Sequence, residues 1–156
     1  MTSFAVRMSM LLAGAVLVVG CGGSGGAGDA SDARGPGSTS PRLAGEVRLD
    51  ISGGYAGVRK GITVGRAGEV TTRSREQPRT ARELSGAEYA RLRELLAAVD
   101  WSRLPARSID DSLRDGFQYR LSYDGHRLVT DRTRRLGAVD EVIGQLEEWL
   151  RSRGKG

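Results

Sequence analysis

Thiol and imidazole chemistry in this 156-residue chain rest on two residues, Cys21 and His126. A single cysteine cannot build a disulfide framework or a cysteine-rich zinc site, which needs several convergent ligands. His126 follows the Asp124-Gly125 turn signal and has no second histidine with which to share a metal, so it reads as an exposed strand residue. Among the carboxylates, Asp110-Asp111 and Glu147-Glu148 are neighbours that could be weighed as acid/base pairs. Adjacent side chains diverge in both regular structures, so each pair reads as solvated surface, the second on the exposed side of a terminal helix. Ser102, Ser108 and Ser112 have no evident base. No G-x-S-x-G nucleophile turn, Walker loop or dinucleotide-binding glycine pattern occurs. The inventory points away from an enzyme, and neither a metal nor a cofactor is expected.

Cys21 is informative through its position. Met8–Val19 is an apolar run interrupted only by Ser9 and Gly14, and Arg7 is the one charge before it. A membrane span needs about 20 apolar residues, so this run is too short and fits the hydrophobic region of a secretory signal. It ends in Val18-Val19-Gly20-Cys21, which resembles the lipobox of bacterial lipoprotein signals. Cleavage after Gly20 would leave Cys21 as an N-terminus carrying acyl chains such as palmitate, each buried methylene contributing roughly 0.8 kcal/mol to membrane partition. An ordinary secretory signal followed by a free thiol, or an uncleaved anchor, is the competing reading. The expectation is a lipoprotein signal peptide over residues 1–20, lipidation at Cys21, and a protein held at the outer face of the cell membrane.

Residues 21–42 continue as a tether. Positions 22–41 hold seven Gly, four Ser and two Pro and show no apolar periodicity. Such a segment buries too little to fold, and as a random coil it would span an r.m.s. distance of roughly 25 Å. The formal charge is +5 and the pI about 10.0, with lysine only at positions 60 and 155. Between Leu43 and Arg151, however, 19 cations face 17 acids, interleaved as in Arg91-Leu-Arg93-Glu94. A nucleic-acid binder concentrates its charge on one face, so no nucleic-acid partner is expected.

The domain that must position any site runs over residues 43–152, with 153–156 as a tail. Val47, Leu49 and Ile51 alternate with charged residues and predict a half-buried strand. Val58, Ile62 and Val64 predict a second, and Val70 with Thr72 a third. Ser74–Arg82 is polar, contains Pro78 and reads as a linker. Ser85 and Glu88 form a capping box, followed at helical spacing by Tyr89, Leu92, Leu95, Leu96 and Val99, with an end near Asp100-Trp101. Phe117, Tyr119, Leu121 and Tyr123 predict a strand, Asp124-Gly125 a type I′ hairpin turn, and His126–Arg132 its partner. Leu136, Val139, Val142, Ile143, Leu146, Trp149 and Leu150 form a long helical stripe. The expected class is α+β: an antiparallel sheet of about five strands, built from a three-stranded meander and a β-hairpin, with two helices packed on it. A monomer is the default.

Two features outside the core invite a partner. Gly53, Gly54, Tyr55, Ala56 and Gly57 form a loop presenting one aromatic among small residues. Its glycines either satisfy turn geometry alone or let the backbone approach a partner's groove closely. Arg132-Thr133-Arg134-Arg135 places three cations in four residues, a solvated connection or a contact for an acidic partner.

Four segments together resemble emfourin, the protealysin inhibitor family: Asp50–Gly57, the stretch Leu95-Leu96 through Asp100-Trp101 to Leu104-Pro105, Asp115–Leu121, and Leu146–Leu150. Members of that family carry a glycine-rich loop with an aromatic after the first strand, a helix ending before Leu-Pro, an Asp-Gly-Phe-x-Tyr strand and a closing helix with Trp. The likeness covers roughly residues 44–151. Tyr55 stands where the family often has Phe. The lipoprotein signal and tether are additions, and Ser74–Arg82 is a local departure. The resemblance implies a proteinaceous inhibitor of thermolysin-like zinc metallopeptidases, covering the active-site cleft without being turned over, with Gly53–Gly57 as the candidate contact loop. The alternative is an envelope lipoprotein that keeps the fold as a non-catalytic binding or structural module.

Overall fold

The structure, a computed structural model, describes residues 42–75, 77–112 and 115–154. The expected signal peptide, the Cys21 lipidation site and all of the tether except Arg42 lie outside the described residues. Seven strands form one sheet in the order β4-β3-β2-β1-β6-β7-β5. Strand β1 (Val47–Gly53) lies at its centre, paired antiparallel with β2 (Val58–Val64) on one side and β6 (Phe117–Tyr123) on the other. The meander continues outward through β3 (Val70–Ser74), and β7 (His126–Thr130) completes the hairpin with β6.

The period-two pattern decides which face is covered. Val47, Leu49 and Ile51 of β1 stand beside Val64 and Ile62 of β2 and Leu121 of β6 on one face, all buried. Against that face lie α1 (Gly86–Ala97), through Leu92, Leu95 and Leu96, and α2 (Ala138–Arg153), through six buried residues including Leu146 and Trp149. Full burial of such a side chain stabilises the fold by about 1.5–3 kcal/mol, so the single helix layer is where most of the stability arises. Among the described residues, no helix covers the opposite face of the sheet.

The α+β class holds, but the sheet has seven strands and is mixed, where about five antiparallel strands were expected. The polar segment read as a linker contains β4 (Gln77–Ala81), paired with β3. β4 is an edge strand and four of its five residues are exposed, so it has no inward apolar alternation to reveal it. Pro78 is tolerated there because an edge strand leaves one side of its backbone unpaired. The second addition, β5 (Arg107–Ser108), pairs parallel with β7 and is too short to show a period. Helix α1 stops at Ala97, and Trp101–Arg103 forms a separate 3-10 turn whose Trp101 Nε1 donates to the Leu96 carbonyl at 3.1 Å. Helix α2 runs through Arg153, into the four residues assigned to a tail.

The capping box and the hairpin turn expected from sequence both form. Ser85 Oγ accepts from the Glu88 amide while Glu88 Oε2 accepts from the Ser85 amide at 2.7 Å. Asp124 and Gly125 adopt φ of 46° and 81°, the left-handed pair that a type I′ turn requires. Glu88 does more than cap. Its carboxylate also receives Arg153 Nη2 at 2.7 Å and Arg82 Nη2 at 3.1 Å, tying α1 to the end of α2. Partial burial disfavours its charge, but the Ser85 amide and the two guanidiniums outweigh that and hold its pKa down to about 2. A carboxylate depressed in the folded state stabilises above its unfolded pKa and loses that contribution as pH falls. Wild-type stability is therefore expected to drop between about pH 4.5 and pH 2. Glu88→Gln is expected to cost about 1–2 kcal/mol at neutral pH and to remove that part of the pH dependence in denaturant titrations.

Candidate functional site at the sheet tip

At the end of β1 the chain must reverse into β2 while passing the start of β6. Gly53 is paired with Val58 on one side and Phe117 on the other. Its φ of 110° lies in the left-handed region, and a β-carbon there would overlap the Gly116 carbonyl oxygen. Gly54, at φ 69°, would place a β-carbon 2.9 Å from Phe117 Cζ. The Gly54 amide donates to the Gly116 carbonyl at 3.4 Å, and the Gly57 amide closes the turn on the Gly54 carbonyl at 3.0 Å. Glycine is thus required at 53 by backbone overlap, whereas at 54 the obstacle is the half-exposed Phe117 ring and the positive φ, and Gly57, at φ 58°, has open space around it.

Tyr55 projects from this turn with 100% of its surface exposed. Phe117, against which Gly54 packs, is 43% exposed, and these two are the exposed large hydrophobics among the described residues. Both belong to the same end of the sheet. The sequence marks Gly53, Gly54, Tyr55, Ala56 and Gly57 as a loop that could meet a partner, whereas Phe117 reads there only as one of four alternating strand residues. The alternation is right as to its side of the sheet, but β6 begins there, where the helix layer no longer covers it. The pairing of Gly53 with Phe117 makes the two glycine-aromatic segments one structure.

The residues considered for catalysis are engaged elsewhere. Asp110 Oδ1 accepts from the Ser112 hydroxyl at 2.6 Å and amide at 3.0 Å, which lowers its pKa. The Asp110 amide in turn donates to Asp131, whose carboxyl is held down to about 2 mainly by that bond. Asp111 meets Arg107 at 2.7 Å. Ser102 donates to Asp100. These are loop staples, and the Asp110–Asp131 bond joins the 108–112 loop to the end of β7. His126 is exposed as expected, with its ring 5.7 Å from that of Trp101, which lies 5.3 Å from Tyr123. Among the described residues no three His, Cys, Asp or Glu side chains converge as metal ligands would.

One expectation needs correction. Glu147 does not sit on the exposed side of α2: its side chain is only 19% exposed and meets Arg132 Nη1 at 2.7 Å. The segment 132–135 is exposed, as a solvated connection would be, and within it Arg132 folds back over the Tyr119 ring at 5.5 Å to reach that carboxylate. Burial, together with the neighbouring Glu147, raises the Tyr119 pKa. Arg132, Tyr119 and Glu147 therefore join β6, β7 and α2 as an internal tie, made possible by the left-handed φ of 62° at Arg132.

Replacing Gly53 by Ala should destabilise the domain by about 2 kcal/mol or more, because strain and overlap add. Gly57→Ala, strained only in φ, should cost about 1 kcal/mol. Equal effects in urea unfolding would contradict the close approach. No protein-family model matches this chain, and neither a curated protein nor a solved structure does.

Proposed function

We propose that this protein is a lipid-anchored, extracytoplasmic inhibitor of thermolysin-like zinc metallopeptidases and that the Gly53–Gly57 turn with Phe117 is its contact site. The observation that carries the reading is the fully exposed Tyr55 on a turn tied to β6 through Gly53, Gly54 and Gly116. An aromatic on a narrow projection hydrogen-bonded at its base can enter a groove, and aromatic residues dominate interface energetics. Small neighbours at Gly54, Ala56 and Gly57 let the backbone follow Tyr55 inward. The four sequence segments resembling emfourin supply the choice of peptidase, and two of them meet at this tip. Cys21 supplies the anchor, and the tether sets the domain's reach from the membrane. Among the described residues no helix is long and apolar enough to cross a membrane.

The second reading, a non-catalytic envelope binding module with another partner, is favoured by the same exposed tip and differs only in what fills the opposite side.

Titrating the purified domain into a thermolysin-like peptidase should abolish peptide hydrolysis at one equivalent. Tyr55→Ala should weaken inhibition by about ten- to a hundred-fold, the 1–3 kcal/mol of a central aromatic anchor, with an unchanged melting temperature. Full activity of every such peptidase tried, including one encoded beside this chain, favours the second reading. Separately, labelled palmitate should be incorporated by the wild type and lost in Cys21→Ser.

A further inference from the structure

The interleaving of charge along the chain does not survive folding. Alternation sends every second strand residue to the face that carries no helix, and the registers place Arg48, Arg59, Arg73, Arg107, Arg120 and Arg127 there. Asp50 is the only carboxylate among the described strand positions of that face, and it is held by both Arg48 and Arg73. Arg107 meets Asp111 at the rim. Arg120 and Arg127 are exposed and make no ion pair with a described residue. A shallow groove of about 570 Å³ opens at the end toward Ser52, Arg59 and Arg73, with Arg75 and Arg120 also at its border.

The remaining positions narrow the kind of partner. They are Ser52, Gly61, Thr63, Thr71, Thr80, Gln118 and Ser122, with Val129 and Pro78 as the larger apolar contributions. A protein interface of any strength needs apolar or aromatic anchors at its centre, and single-stranded nucleic acid needs aromatic stacking platforms. This face has neither. A broad, polar, arginine-rich plane with one headgroup-sized depression is complementary to a plane of anionic headgroups, which binds by charge without insertion.

We infer that the open face of the sheet docks on an anionic phospholipid surface, with the arginines contacting headgroup phosphates and Tyr55 left at the rim of the contact. The choice of a bilayer over other anionic planes rests on reading Cys21 as a lipid attachment point, which keeps the domain within tether length of a membrane. The docking itself is independent of the inhibited enzyme. It would hold the domain with a defined face toward the membrane.

The test uses the domain from Arg42 onward, which lacks Cys21 and contains every core residue from Leu43 to Leu150. Vesicles of neutral phosphatidylcholine are compared with vesicles containing roughly one third phosphatidylglycerol, at about 0.1 M salt, where screening extends about 10 Å. The domain should sediment with the anionic vesicles only, and added salt should release it. Each arginine near such a surface contributes about five-fold in partition, so Arg120→Gln with Arg127→Gln should weaken binding about 25-fold. The corresponding lysine variants should retain it, which separates charge from misfolding. Absent or lipid-independent binding, a double glutamine variant that binds like the wild type, or a preference for duplex DNA over anionic vesicles would overturn the inference. Because Cys21 is not in this fragment, a failed palmitate experiment and failed vesicle binding remain distinct results.

Discussion

Gly53 carries three demands at once: it ends the central strand, pairs with both neighbouring strands, and turns the chain over the Gly116 carbonyl. No side chain other than hydrogen meets all three, because the φ is left-handed and the carbonyl occupies the space a β-carbon would take. The β1–β2 turn is consequently joined to the start of β6, and Tyr55 is carried on a structure braced from two strands. In the proposed contact, bracing of this kind would lower the conformational freedom lost on binding. The glycines at 53 and 54 serve close packing; any advantage they give in a partner's groove follows from the same absence of side chains.

The sheet also separates two kinds of surface. Its covered face takes the apolar residues of β1, β2 and β6 together with the helices, and a few ionic ties fasten that layer: Glu88 with Arg153 and Arg82, and Glu147 with Arg132. Its open face collects arginine. A chain segment with nearly balanced charge thus yields an asymmetric molecule, because the two-residue period of a strand sorts side chains regardless of their order along the sequence. The proposed tip contact lies where the two faces meet, so peptidase binding at the tip and headgroup contact at the open face need not exclude one another.

Much of the scaffold could be read directly from residue patterns. The Ser85–Glu88 box, the Asp124-Gly125 turn, the alternation of Val47, Leu49 and Ile51, and the stripe from Val139 to Leu150 each express a local rule that tertiary structure then obeys. What escaped was set by distant neighbours. β4 exists because β3 offers it an edge, and its own residues are polar and exposed. β5 depends on two residues finding β7. Phe117 could be assigned a side of the sheet but not its exposure, which follows from where the helix layer stops. Glu147 and Arg132 met because a left-handed residue redirects the chain after β7. The loop at Gly53–Gly57 was visible as a feature, while the reason for its first two glycines lay across the sheet in Gly116 and Phe117.

Hydrogen exchange of the domain, alone and saturated with a thermolysin-like peptidase, addresses the central claim most directly. The account predicts new protection confined to residues 53–57 and 115–119, with both helices unchanged. Protection centred on α1, α2 or the open face, with the tip exchanging as in the free domain, would contradict it.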